Sequence, residues 1–179
     1  LNDSANDPVM NRIRAQKLRN SEEDKVKIFF VPSYLNGDDG VLNMPYYDLL
    51  VGMDLTAFPS YYEPWGYTPL ESLAFKVPTI TTTLAGFGLW VKEHYNMNHP
   101  GIEVIHREDG DASNVATAIA EWVKNYTQVG ETEMQKDRDN AKDVSRIALW
   151  DNLINYYKQA YTIALNQVSV RLKDLPANM

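Results

Sequence analysis

Apolar residues follow two rhythms along the chain. Short runs of β-formers at Val26-Lys27-Ile28-Phe29-Phe30-Val31, Asp54-Leu55-Thr56-Ala57-Phe58, Val77-Pro78-Thr79-Ile80-Thr81-Thr82 and Ile102-Glu103-Val104-Ile105 predict four strands. Pro32 and Pro59 stop the first two. Helical spacing predicts a helix over 8–20, opened by Asp7-Pro8 and carrying Val9, Ile13 and Leu18. Further helices are expected near 44–52, 69–76, 86–95, 112–127, 131–147 and 150–168. Asn36-Gly37-Asp38-Asp39-Gly40 is dense in turn residues and reads as a loop. No internal repeat or low-complexity segment interrupts the pattern.

Strands that alternate with helices require crossover connections, which predicts an α/β fold with a parallel sheet. Such sheets receive ligands beyond the carboxyl ends of their strands. The loops after Val31, Phe58 and Thr82 are therefore the ones to search. The last helix carries Leu153, Ile154, Tyr157, Ala160, Tyr161 and Ala164 as an apolar stripe, expected to pack on its own domain.

Composition narrows the classes. The 179 residues suffice for one domain with a full core, and 44% apolar with 23% charged residues is ordinary for a globular protein. The absence of cysteine excludes disulfides and thiolate metal sites and fits a reducing cytoplasm. No apolar run approaches the roughly 18 residues that span a membrane, and no signal-peptide pattern appears. The chain opens on Leu1 in a polar stretch, which reads as a cut or processed end. A net charge of -7 argues against a nucleic-acid partner, so any anion site must be built locally from backbone N–H groups or by another domain.

The loop after the second strand carries the most information. Phe58-Pro59-Ser60-Tyr61-Tyr62-Glu63-Pro64-Trp65-Gly66-Tyr67-Thr68-Pro69-Leu70-Glu71 is stiffened by its prolines and rich in rings. Thr68 as N-cap, Pro69 at the first helical position and Glu71 three residues after the cap predict a capping box. The free N–H groups of that turn, with Gly66 allowing close approach, suit a diphosphate. Glu63 and Glu71 each suit paired sugar hydroxyls. Blander readings stand beside these: Glu71 closing the capping box, Glu63 as a solvated loop acid, the rings as core, and a helix start that binds only water.

Taken together, Phe58 to Pro69 followed by Glu71 resembles the donor-site signature of the fungal and animal type of glycogen synthase. Val77 to Thr82 and Gly86-Phe87-Gly88 match the next block of that family. Ala5-Asn6-Asp7-Pro8, Asn11 to Arg14, Lys27 to Phe30 with Pro32, Leu35-Asn36, and Trp150, Tyr157, Ala160 and Ala164 extend the likeness from about residue 5 to 165. The resemblance implies a two-domain GT-B fold, of which 1–149 would be part of the Rossmann-like C-terminal nucleotide-sugar domain and 150–179 its terminal helix and tail. It implies glucosyl transfer from UDP-glucose to the non-reducing end of an α-1,4-glucan with retention, without metal or other cofactor. Carried over, Glu63 stands beside the donor glucose, Glu71 holds the ribose, Trp65, Gly66, Tyr67 and Thr68 belong to the donor site, with the last three lining the diphosphate, and Tyr34 and Tyr46 flank the uracil.

Departures from the family pattern add expectations. The family's donor-phosphate Arg and Lys and its acceptor domain have no match here, so the chain alone is expected to bind UDP weakly and transfer nothing, with homo-oligomers possible only for a longer protein. The arginine cluster by which eukaryotic members sense glucose-6-phosphate is replaced by Lys136-Asp137-Arg138-Asp139-Asn140-Ala141-Lys142-Asp143, which suggests a bacterial relative without that control. His94 and His99 are five apart and do not share a helix face as a metal pair would; with His106 they read as surface or structural. Another GT-B nucleotide-sugar enzyme, or a non-catalytic glucan- or partner-binding domain, remain the alternatives.

Overall fold

The structure, a computed structural model, describes residues 4–95 and 101–173. The expectations placed on Leu1, on His99 and on the tail beyond Lys173 lie outside these residues. The chain divides into two compact units, Leu1–Leu49 and Leu50–Met179.

In the first unit, helix α1 spans Pro8–Ala15. Its N-cap is Asp7, whose Oδ1 accepts the Met10 N–H at 2.8 Å, with Pro8 opening the helix. The helix stops short of residue 20 because Lys17 adopts a left-handed backbone at φ 59°. The strand expected over 26–31 does not form. Both backbone groups of Ile28 are taken by the Asn20 side chain, which donates to the Ile28 carbonyl at 2.7 Å and accepts from its N–H at 2.8 Å. Ile28 and Phe30 line a cavity of about 360 Å³ with Met10, Ile13 and Leu18, while Val26 and Phe29 are exposed. The turn at 36–43 is organised by Asp39, which accepts from the N–H groups of Leu42, Val41 and Asn43; the Leu42 hydrogen bond leads in holding its carboxyl below the usual value. Helix α2 runs Tyr46–Leu50, shorter than the 44–52 expected.

The second unit is the α/β body. It runs β1 (Thr56–Ala57), α3 (Tyr67–Ala74), β2 (Thr79–Thr82), α4 (Gly86–His94), β3 (Ile102–Ile105), α5 (Ala112–Tyr126), α6 (Glu131–Ile147) and α7 (Trp150–Lys173). The strands form a parallel sheet in the order β1-β2-β3, with Thr56 opposite Thr79 and Thr79 opposite Ile102. This is the α/β fold with a parallel sheet that the alternation implied, and the Rossmann-like architecture that the resemblance implied. β2 begins at Thr79 rather than Val77 because Pro78 has no N–H to give; its carbonyl still accepts from Thr56 at 3.0 Å.

Alternation along β3 separates two cores. Ile102 and Val104 pack with Leu73, Phe87, Val91, Ala141 and Val144, joining α3, α4 and α6. Ile105 and Ile80 pack with Val115, against which Ile119 and Trp122 of α5 lie. Between β1, β2 and α3 the hydroxyls of Thr56, Ser72 and Thr79 lie 2.6–2.9 Å apart, so these buried polar groups satisfy one another. Arg138 of α6 reaches the Met53 carbonyl and Asp54, at 3.2 and 2.8 Å. Three parallel strands thus present the loops after β1, β2 and β3 at one edge.

Candidate functional site

The loop from Phe58 to Gly66 is held almost residue by residue along this edge. Phe58 donates its N–H to Ile80, the Ser60 carbonyl accepts from the Thr82 hydroxyl at 2.9 Å, and Glu63 bridges to the β2–α4 turn. That bridge consists of Glu63 N–H to Leu84 O at 3.1 Å and Gly86 N–H to Glu63 O at 3.0 Å. Phe87 N–H to Trp65 O at 2.7 Å closes the run. The approach is close enough that a Cβ on Gly86 would stand 2.2 Å from the Pro64 carbonyl oxygen, and one on Gly88 2.4 Å from that of Thr82. Glycine is required here by contact rather than by backbone angle.

The helix start differs from the expected capping box. Gly66 is the N-cap, at φ 108° and ψ 78°, and no side chain caps the helix. Thr68 and Pro69 fall at the second and third helical positions and Glu71 at the fifth, so neither Thr68 nor Glu71 serves a cap. The left-handed backbone at Gly66, cheap only for glycine, turns the chain into the helix before Thr68 is reached. The helix closes two residues earlier than expected, with Lys76 left-handed at φ 64° and donating to Leu73. At its start the N–H groups of Tyr67 and Thr68 have no intrahelical acceptor, and Pro69 has none to offer.

Six of the expected site residues, Glu63, Trp65, Gly66, Tyr67, Thr68 and Glu71, stand together on this loop and helix start. Glu63 is half-buried, and its Cγ lies 3.4 Å from where a Gly66 Cβ would be, so its side chain rests against the first turn of α3. Glu71 is half-buried one turn further along. Tyr67 and Thr68 are exposed. Trp65 turns inward, its ring 5.6 Å from Phe87 and 5.7 Å from Trp90. Tyr34 and Tyr46 belong to the first unit. There the Tyr46 N–H donates to Leu35 O at 2.9 Å and Asn36 bridges Pro45, which draws the two tyrosine positions together; Tyr34 is 93% exposed.

Two features were not singled out from the sequence. Arg107, two residues beyond β3, is 5% exposed and lies over the Tyr61 ring. Nothing in His106-Arg107-Glu108 marks it, because only the strand order brings it to the loop. The second is a cavity of about 640 Å³ lined largely by rings, among them Trp65, Tyr67, Trp90, Trp150, Tyr156 and Tyr157. His94 donates from Nδ1 to Trp90 O at 2.9 Å and stacks on the Trp90 ring at 4.8 Å, a structural role. Among the described residues no three His, Asp or Glu groups converge as a metal site, and no helix is long and apolar enough to cross a membrane.

The class that this architecture defines is the Rossmann-like α/β protein, with its ring-rich loop and glycine-led helix start at the ligand edge. Within that class, the family model described as glycogen synthase matches residues 1–176. A glycogen [starch] synthase of Caenorhabditis elegans is 34% identical over 167 residues, covering 92% of this chain and 25% of the relative. Isoform 1 from Saccharomyces cerevisiae is 31% identical over 168 residues, covering 92% and 24%, and the Neurospora crassa enzyme 34% identical, covering 93% and 24%. The chain belongs to the glycogen synthase family, whose members are glycosyltransferases, and it spans about a quarter of the length of the curated relatives it matches.

Proposed function

We propose that this chain forms the donor side of a retaining glucosyltransferase that moves glucose from UDP-glucose to the non-reducing end of an α-1,4-glucan. The observation that carries the reading is the Glu63 side chain resting against the uncapped, glycine-led start of α3. One short segment then offers N–H groups to a diphosphate and a carboxylate to the adjoining sugar.

In this reading the Tyr67 and Thr68 N–H groups, with Gly66 admitting close approach, bind the diphosphate. Glu71 takes the ribose hydroxyls, and Trp65 backs the loop. Glu63 orients the glucose and stabilises positive charge that develops at the anomeric carbon as the bond to the leaving diphosphate lengthens. The negative net charge makes cationic help from outside this segment necessary, so the chain by itself binds donor weakly and transfers nothing. The acceptor glucan is met by polypeptide beyond this segment, the chemistry calls for no metal, and the cytoplasm is its place.

In the complete protein, Glu63→Gln is expected to lower kcat by about 100-fold or more while UDP-glucose binding, followed by calorimetry, persists. Near-normal turnover removes Glu63 from the chemistry. Binding of ADP-glucose in preference to UDP-glucose corrects the donor. A second reading, a glucan-binding module, draws on the ring-lined cavity between α3, α4 and α7; glucan binding without any nucleotide-sugar binding favours it instead.

A further inference from the structure

The guanidinium of Arg107 is buried, yet among the described residues no carboxylate forms an ion pair with it. A buried cation without a counter-ion is costly and needs a compensating arrangement. Here Nη1 donates to the Pro59 carbonyl at 2.5 Å, and Cζ stands 3.5 Å from the centroid of the Tyr61 ring. Nε has no partner among the described residues. The backbone of Arg107 is fixed in turn: its N–H donates to the Thr83 hydroxyl at 2.9 Å, and its carbonyl lies 3.3 Å from that hydroxyl. The side chain is therefore aimed from a fixed base.

The strand order gives this contact its meaning. A side chain that follows β3 must cross the end of β2 to touch the loop that leaves β1. The other anchors of that loop described above come from β2, the turn after it and the first residues of α4, so Arg107 alone among them ties it to the far strand. A neutral donor would satisfy the Pro59 carbonyl equally well. The planar cation adds a hold on Tyr61, two residues before Glu63.

We propose that Arg107 is a positioning residue: by clamping Pro59 and Tyr61 it fixes the course on which the chain delivers Glu63 to the start of α3. This rests on the donor-site reading of that loop. The clamp sets alignment more than affinity, and small misplacements of a reacting group cost rate steeply.

The test uses the complete protein. Arg107→Met, assayed well below its melting midpoint, is expected to lower kcat by about 10-fold or more with little change in the KM for UDP-glucose. Tyr61→Leu gives a similar loss, and the double variant is no worse than either single one, as for two halves of one contact. Unchanged kcat in Arg107→Met, or losses that add in the double variant, overturn the clamp. Hydrogen exchange followed by mass spectrometry reads the loop without donor: Arg107→Met is expected to speed exchange in peptides covering 59–66. Unaltered exchange there also overturns the clamp. An unsubstituted protein that transfers no glucose sinks the donor-site reading instead and leaves the exchange result standing on its own.

Discussion

Gly86 and Gly88 sit where α4 meets the loop and the end of β2, with no room for a methyl group between them and the Pro64 and Thr82 carbonyl oxygens. Gly86→Ala is expected to destabilise the fold by about 1–3 kcal/mol, read from the urea midpoint, and to shift the segment that carries Glu63. Asp137 on α6 is a different residue-scale matter. It is 4% exposed; burial, reinforced by Glu133, pushes its carboxyl above the ordinary value of 3.8. The folded state holds the proton to higher pH than the unfolded state, so this group makes stability fall as pH rises from about 3.8 through its raised folded value. Asp137→Asn is expected to raise the melting midpoint at pH 7, with the gain shrinking as pH falls below that range. A gain that grows toward acid pH contradicts this assignment. At this scale the string around them marked Glu63 and Glu71, and the structure has both on the one loop and helix start. It concealed Arg107, since a lone arginine in a polar loop has no local signature.

Elements were legible where a single rhythm had a single partner. β2, β3 and helices α4 to α6 fall within a residue or two of their periodic runs, because each is buried on a continuous face. The run at 26–31 had strand composition, but a strand also needs an edge to pair with, and Asn20 takes the backbone of Ile28 instead. The start of α3 misled for another reason: Thr, Pro and Glu are in capping order, and the backbone at Gly66 overrides them. Two substitutions distinguish a true cap from an apparent one. Asp7→Ala is expected to cost about 1 kcal/mol of local helix stability, visible as faster amide exchange in α1, whereas Thr68→Ala should shift stability by no more than about 0.5 kcal/mol.

For the molecule as a whole, the net charge of -7 leaves carboxylates in excess, and several of the cations are already committed within the chain. Lys136, Arg138 and Arg146 of α6 face Glu133, Asp54 and Asp143 at 4.0, 2.8 and 2.9 Å. The mixed signs read in that stretch thus divide between pairs along α6 and ties to other elements, Arg138 to Asp54 and Asp139 to Lys76. Helix α7 shows the limit of what a sequence stripe says. Leu153 and Tyr157 line the ring-rich cavity and Ile154 is half-buried, while Ala160, Tyr161 and Ala164 are exposed, so the first half of the apolar stripe is the better covered within the described residues. Amide exchange in this chain is expected to slow along 153–158 and to quicken beyond Tyr161; uniform protection over the whole helix would show a cover for its second half.

The anchored loop has one more consequence. The loop makes its hydrogen bonds with its own main-chain atoms, so the shape of the ledge owes little to the outward ring at Tyr62, 80% exposed. That position is a natural target for directed diversification: chemistry displayed on the ledge can be rewritten there while the framework beneath stays intact.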